Sequence, residues 1–108
     1  MKAHVDLSIF ASPTESFGMA SGQLDFEVLP RQGEIISFGQ STANPPAVLP
    51  RIDGFSFQLR VDNVIHAPCG ASFSAIVMLE PAVLQSSAQA AALGEYLERG
   101  FGLFVDPF

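Results

Sequence analysis

The chain has 108 residues, which is the length of one domain, so residues 1–108 are expected to form a single domain. Its residues are 48% hydrophobic and 15% charged, and ten Phe with no Trp supply bulk without polar groups. The formal charge is −6 and the five basic residues are scattered, so no nucleic acid is expected as a partner.

The sequence also bears on the cellular compartment. Cys69 is the single cysteine, which rules out an internal disulfide and fits a reducing environment. His4 and Asp6 interrupt the apolar run that a signal peptide would need. No apolar stretch approaches the roughly 18 residues of a membrane-spanning helix. We therefore expect a cytoplasmic protein with no membrane partner.

Two alternating segments predict the first two strands. Residues 5–9 alternate Val, Leu and Ile with polar residues, and residues 24–28 alternate Leu, Phe and Val in the same way. We expect these strands to pair as an antiparallel hairpin. Between them, residues 12–15 (Ser-Pro-Thr-Glu) have the spacing of a capping box, which predicts a helical turn that ends at Gly18.

The middle of the chain predicts two strands on either side of a loop. Residues 34–38 form the third predicted strand, and residues 40–54 are rich in Pro and other turn residues. Residues 55–61 alternate Phe, Phe, Leu and Val with polar residues, which predicts the central strand of the sheet. The alternation changes phase at Asp62 and Asn63, so we expect a β-bulge or a sharp bend there.

The fifth predicted strand, residues 72–79, is apolar on both faces. Ile76 and Met78 lie on the face opposite to its alternating Phe, Ala, Val and Leu residues. A strand of this kind is covered on both sides or faces another subunit. We therefore predict that Ile76 and Met78, with Phe104 and Phe108 of the C-terminal tail, form an interface.

One helix is predicted near the C-terminus. Residues 86–89 (Ser-Ser-Ala-Gln) form a capping box, and the alanine-rich segment after them should stay helical to about Arg99, with Gly100 as the C-cap. Residues 101–108 predict a final strand. Together the elements predict an α+β fold: a small curled, mostly antiparallel β-barrel or sheet of about five to six strands with one C-terminal helix.

His66 and Cys69 form a candidate polar site with Glu34. A thiol and an imidazole at this spacing can hold a metal, with His4 to complete the set, or act as nucleophile and base, with Glu34 or Asp62 to orient them. A second cysteine is missing, so a hydrogen-bonded histidine and an inert thiol are the more ordinary interpretation. We predict no catalytic residue, no metal and no cofactor.

Residues 29–36 (Leu-Pro-Arg-Gln-Gly-Glu-Ile-Ile) and 61–66 (Val-Asp-Asn-Val-Ile-His) resemble a pattern in small, uncharacterised bacterial proteins with SH3-like or related β-barrels. In that pattern a Pro-x-x-Gly-Asp/Glu-x-Ile turn leads into a strand, and a later strand carries Val-x-x-Val-x-His. The resemblance implies a small curled barrel and implies no catalytic residues.

Three functions are compatible with the sequence. Because the apolar residues exceed what one small core can hide, we favour a non-catalytic protein-interaction module that self-associates as a homodimer or another homo-oligomer. The alternative is a barrel that binds a small apolar ligand, its mouth lined by Phe17, Met19, Val48 and Leu49. The third is an enzyme or metal protein centred on His66 and Cys69.

Overall fold

The computed structural model describes residues 1–66 and 75–107. Within these residues the elements are β1 (Lys2–Ser12), β2 (Glu15–Asp25), β3 (Ile35–Ser37), β4 (Gln58–His66), β5 (Ala75–Leu79), β6 (Ala82–Val83), α1 (Ser87–Phe101) and β7 (Phe104–Pro107). The strands form one sheet in the order β3-β4-β5-β1-β2-β7, and β6 also pairs with β1. Phe108 and part of the predicted fifth strand lie outside the described residues.

The α+β class, the mostly antiparallel sheet and the C-terminal helix are confirmed, whereas the barrel is wrong. In the part of the chain that the structure describes, the sheet is open, with β3 and β7 at its edges, and it has seven strands instead of the five to six predicted. The physical reason is the helix. Because α1 packs on β1, β2 and β7, the apolar side chains of that face are buried without closure of the sheet on itself.

β1 lies at the centre of the sheet. It pairs antiparallel with β2 along its whole length, and parallel with β5 and then with β6 along its other edge. β1 and the next strand form an antiparallel hairpin, as predicted, but the second strand was placed too late in the chain. Val5, Leu7 and Ile9 pair with Gly22, Ala20 and Gly18 instead of residues 24–28, and the predicted helical turn ending at Gly18 is wrong. Pro13 and Thr14 form a tight turn, and β2 begins at Glu15. The ladder with β1 satisfies the backbone of these residues, and this long-range pairing overrides the local capping signal.

The predicted phase change in β4 is a β-bulge. Val61 pairs with Leu79 and Asn63 pairs with Met78, so Asp62 is the extra residue between them. The bulge places Val61 and Val64 on the same face of the sheet, although they are three residues apart. β4 pairs with β3 and β5, so it is an internal strand of the sheet, as predicted, and not an edge strand.

The helix begins as predicted and ends later. The hydroxyl of Ser86, the N-cap, accepts a hydrogen bond from the backbone N–H of Gln89 at 3.2 Å. The helix continues to Phe101, and Gly102, with φ of 70°, takes the left-handed conformation of the C-cap. Gly100, the predicted cap, is instead buried inside the last turn.

The helix covers one face of the sheet, which we call the inner face. Alternate residues of β1 from Ala3 to Ala11 are buried on it. The helix adds a buried stripe to the same core: Ala90, Leu93, Gly94, Tyr96, Leu97 and Gly100. The remaining residues of β1, from Lys2 to Ser12, are partly or fully exposed on the opposite side, which we call the outer face.

A loop between β3 and β4 closes one end of the core. Tyr96 of the helix donates a hydrogen bond to the backbone carbonyl of Phe38 at 2.6 Å, and both residues are buried. The Tyr96 ring makes edge-to-face contacts with Phe57 and Phe101, at centroid distances of 5.5 and 5.6 Å. The carbonyl of Gly100 accepts four hydrogen bonds from Ser41, Thr42 and Ala43. The loop is thus fixed to the C-terminal half of the helix.

Gly18 sets the approach of β7 to β2. A Cβ at this position would lie 2.6 Å from the carbonyl oxygen of Asp106 and 2.9 Å from the Cα of Pro107. We expect Gly18→Ala to displace β7 and to lower the free energy of unfolding by about 1–3 kcal/mol. Urea unfolding and hydrogen exchange of the β7 amides measure this.

Gly39→Ala is the control, because a Cβ there would meet only the Ser37 hydroxyl at 3.4 Å, and Gly39 has no positive φ. Equal stability losses in the two variants would contradict the close approach of β7.

Burial raises the pKa of Tyr96 above its ordinary value of 10.0, because the phenolate would lose its hydration. The unfolded chain therefore ionises first as pH rises. Tyr96 stabilises the fold fully below about pH 10, and this contribution is lost as pH rises through the folded-state pKa. Tyr96→Phe should cost about 1–3 kcal/mol near neutral pH, since the carbonyl of Phe38 loses its donor.

The urea midpoint, measured from about pH 8 to about pH 11, should fall more steeply in the parent than in Tyr96→Phe. The chain has a single Tyr, so all other titrating groups are common to both proteins. Parallel pH profiles would contradict the buried-phenol assignment.

Candidate functional site

The outer face is built as rows of side chains that cross the strands, because directly paired residues point to the same side of a sheet. The Asp6 row consists of Met78, Asp6, Ser21 and Phe104, from β5 to β7. The His4 row consists of Ile65, Ile76, His4 and Gln23, from β4 to β2. The Ser8 row consists of Ser8, Met19 and Asp106, from β1 to β7.

Apolar side chains lie at both ends of these rows. On the β4 and β5 side, Ile65 is 47% and Met78 is 39% exposed, and Ile76 is partly buried between them. On the β2 and β7 side, Met19 is 37% and Phe104 is 67% exposed. No helix of the described residues packs on this face. Exposed apolar side chains gathered on one face are typical of an interaction surface.

The middle of the outer face is polar. His4 and Asp6, two residues apart on β1, point to the same side, and Nε2 of His4 lies 3.0 Å from Oδ1 of Asp6. Both side chains are largely shielded by their neighbours, with exposed fractions of 31% and 26%. Ser21 and Gln23 of β2 stand beside them. The surface therefore carries hydrogen-bonding groups at its centre and apolar groups at its sides.

The structure brings together three of the four predicted interface residues. Ile76, Met78 and Phe104 share the outer face, and Phe108 lies outside the described residues. Sequence reasoning missed Ile65 and assigned Met19 to a different site. The bulge at Asp62 was the available signal for Ile65, because it places Val64 inward and its neighbour outward.

The four residues predicted to line a ligand mouth do not converge. Phe17 packs against the core, and Met19 lies on the outer face. Val48 is 90% exposed and lines an open cleft beside the helix, on the other side of the molecule from Met19. Leu49 is also exposed, but it is not among the residues that line that cleft.

The cleft lies between the Pro-rich loop and the helix and has a volume of about 480 Å³. Its walls are Pro45, Pro46, Ala47, Val48 and Pro50 on the loop side, and Ala92, Glu95, Tyr96 and Arg99 on the helix side. Arg99 and Glu95 form an ion pair at 3.1 Å on its rim. The hydroxyl of Tyr96 is bonded to Phe38, so the cleft offers mainly apolar surface to a ligand.

The predicted polar site is not assembled by the described residues. The carboxylate of Glu34 accepts a hydrogen bond from the backbone N–H of Arg31, within its own turn. Its backbone carbonyl accepts from Val61. His66 lines a pocket of about 320 Å³ with Arg31, but Glu34 is not among the residues that line it. His4 lies on the outer face, and His66 pairs with Ala75, which points inward. Cys69 lies outside the described residues.

Within residues 1–66 and 75–107, no three His, Cys, Asp or Glu side chains are grouped closely enough to hold a metal ion. In the same part of the chain, the helix is too short and too polar to cross a membrane.

Comparison with protein-family models, with curated proteins and with solved structures finds no match to this chain. The resemblance to SH3-like barrels therefore stays a prediction. The outer face and the loop–helix cleft are the two features from which a function can be inferred.

Proposed function

We propose that the chain is a non-catalytic protein-interaction module that self-associates through its outer face. The observation that supports this proposal is the exposure of Ile65, Met78 and Phe104 on a sheet face that the helix does not cover. Burial of these side chains against a second copy would remove apolar surface from water, which is the main source of stability in protein association.

The size of the outer face agrees with what a dimer requires. Five strands at about 4.8 Å spacing, and three rows at about 6.7 Å, define a patch of roughly 24 by 20 Å. Two copies in contact would bury roughly 1,000 Å² of projected area, which is at the lower limit of specific interfaces. A dimer of moderate affinity is the expected result.

The polar centre of the face suits such an interface. The His4 and Asp6 side chains are bonded to each other, so part of their hydrogen-bonding capacity is satisfied before they are covered. Each copy carries a formal charge of −6, so two copies repel each other at long range. The contact must therefore be stabilised by its apolar side chains, and added salt should strengthen it.

Met78→Glu and Phe104→Glu test the proposal. Each variant places a carboxylate where an apolar side chain would be covered, and the cost of dehydrating it should convert the dimer to a monomer. Solution mass at high micromolar concentration and about 0.15 M salt measures the result. The parent should have the mass of two chains.

Val48→Glu is the matched control, because Val48 is an exposed apolar residue away from the outer face, and this variant should stay dimeric. A monomeric parent, or a monomeric Val48→Glu protein, would reject the outer face as the site of association.

A second candidate function is the binding of a small apolar ligand in the loop–helix cleft. Its volume of about 480 Å³ lies within the range of small-molecule sites, and Val48 gives it an exposed apolar wall. This candidate differs from the predicted barrel mouth, since only Val48 of the four predicted residues lines the cleft.

Fluorescence of the apolar dye 1-anilinonaphthalene-8-sulfonate separates the two surfaces. If the cleft binds apolar ligands, Val48→Glu should weaken dye binding at least tenfold, while Met78→Glu should not weaken it. Loss of dye binding in Met78→Glu alone would place the apolar site on the outer face and dismiss the cleft.

A further inference from the structure

We infer that two copies of the chain pack face to face around a two-fold axis that runs parallel to the strands, between β1 and β2. This inference rests on the proposed self-association and names the contacts within it. Packed sheets lie about 10 Å apart, and their facing side chains interdigitate. A two-fold axis between two such sheets must lie in the plane of the interface, so it runs along the strands, across them or obliquely.

With an axis along the strands, each row lies over the same row of the partner, with the strands in the opposite order. In the Asp6 row, Met78 then faces the partner's Phe104, and Asp6 faces the partner's Ser21. A thioether beside an aromatic ring and a hydroxyl beside a carboxylate are both favourable contacts. The two-fold symmetry makes each contact twice. Phe104, the most exposed apolar side chain of the rows, thus receives an apolar partner.

The other two rows are covered only in part. In the His4 row, Ile65 and Ile76 have no facing side chain, because β7 begins at Phe104. In the His4 row, His4 faces the partner's Gln23, whose amide can donate to or accept from an imidazole. In the Ser8 row, Ser8 faces the partner's Met19.

An axis across the strands fits the side chains less well, whichever row it crosses. An axis through the Asp6 row sets Asp6 against the partner's Asp6, and like charges in contact repel. An axis shifted toward the His4 row leaves Phe104 without a facing side chain, because β7 begins at that residue. An axis shifted toward the Ser8 row sets Met78 and Phe104 against the partner's carboxylates of Glu80 and Asp106. The axis along the strands avoids the contact between the two Asp6 side chains and gives Phe104 a facing apolar side chain.

Cross-linking between cysteine variants tests the orientation. Cys69→Ser removes the native thiol, and Met78→Cys and Phe104→Cys are then made separately in that background. A short bismaleimide, whose reach matches the separation of about 10 Å between packed sheets, joins facing thiols. A mixture of the two variants, one of them isotope-labelled, should yield mainly the mixed dimer by mass spectrometry. Each variant alone should stay uncross-linked.

A second pair keeps the test independent of any one substitution. Ser8→Cys and Met19→Cys lie in a different row, and the same axis sets them against each other. Because the axis runs between β1 and β2, like thiols are displaced sideways by only one strand spacing of about 4.8 Å. These variants should therefore cross-link both as a mixture and singly. Every variant must show the circular dichroism spectrum of the parent before its cross-linking is measured.

The outcomes separate the two proposals. A dimer in which Met78→Cys or Phe104→Cys cross-links with itself would overturn the axis along the strands and leave self-association in place. A parent that is monomeric by solution mass would overturn the proposed function, and the inferred axis with it.

Discussion

Among the described residues, one helix packs on a sheet that has two faces, and this constraint determines the rest of the structure. The helix buries its stripe from Ala90 to Gly100 against β1, β2 and β7, so the inner face becomes the core. The outer face is left with a mixture of polar and apolar side chains. A sheet that stayed monomeric with one wet face would normally place polar side chains there, as β1 does with His4, Asp6 and Ser8. β4, β5 and β7 instead carry the exposed apolar residues Ile65, Met78 and Phe104 on this face.

The helix can cover the inner face because its C-terminal half is held at a fixed position. Tyr96 donates a hydrogen bond to the carbonyl of Phe38, and the carbonyl of Gly100 accepts hydrogen bonds from the loop between β3 and β4. The last carbonyls of a helix have no partner within the helix, so a loop that supplies donors both caps the helix and is ordered by it. The Phe side chains around Tyr96 fill the space beneath. Much of the Phe content that suggested a surplus of apolar residues is used here, at the end of the core.

Features with a local cause could be predicted from the sequence. The N-cap at Ser86 and the bulge after Val61 follow from spacing over a few residues, and both are confirmed. Features with a distant cause could not. The capping signal before Glu15 was overridden by pairing with β1, and the choice between barrel and sheet depended on which element covers the inner face. Alternation shows that one face of a strand is buried, but it does not show what buries it.

The same limit applies to the site. Ile76 and Met78 stood out because their strand is apolar on both faces, whereas the common face that they share with Phe104 depends on strand order. Glu34 and His66 were grouped because of residue type, and their separation along β4 depends on the pairing of Val61 with the backbone of Glu34. Residue type identifies candidate site residues, but the order of the strands determines which of them lie close together.

The position of β1 also has a consequence during synthesis on the ribosome. β1 pairs with β2 soon after both are made, but its second edge is completed only by residues 75–83. Until then the nascent hairpin has an unpaired strand edge. Its apolar face is also exposed, because the helix that covers this face has not yet been translated. Parallel pairing between distant segments is slow to form. The growing chain therefore has a window in which it is vulnerable to chaperone capture or to pairing with another nascent chain.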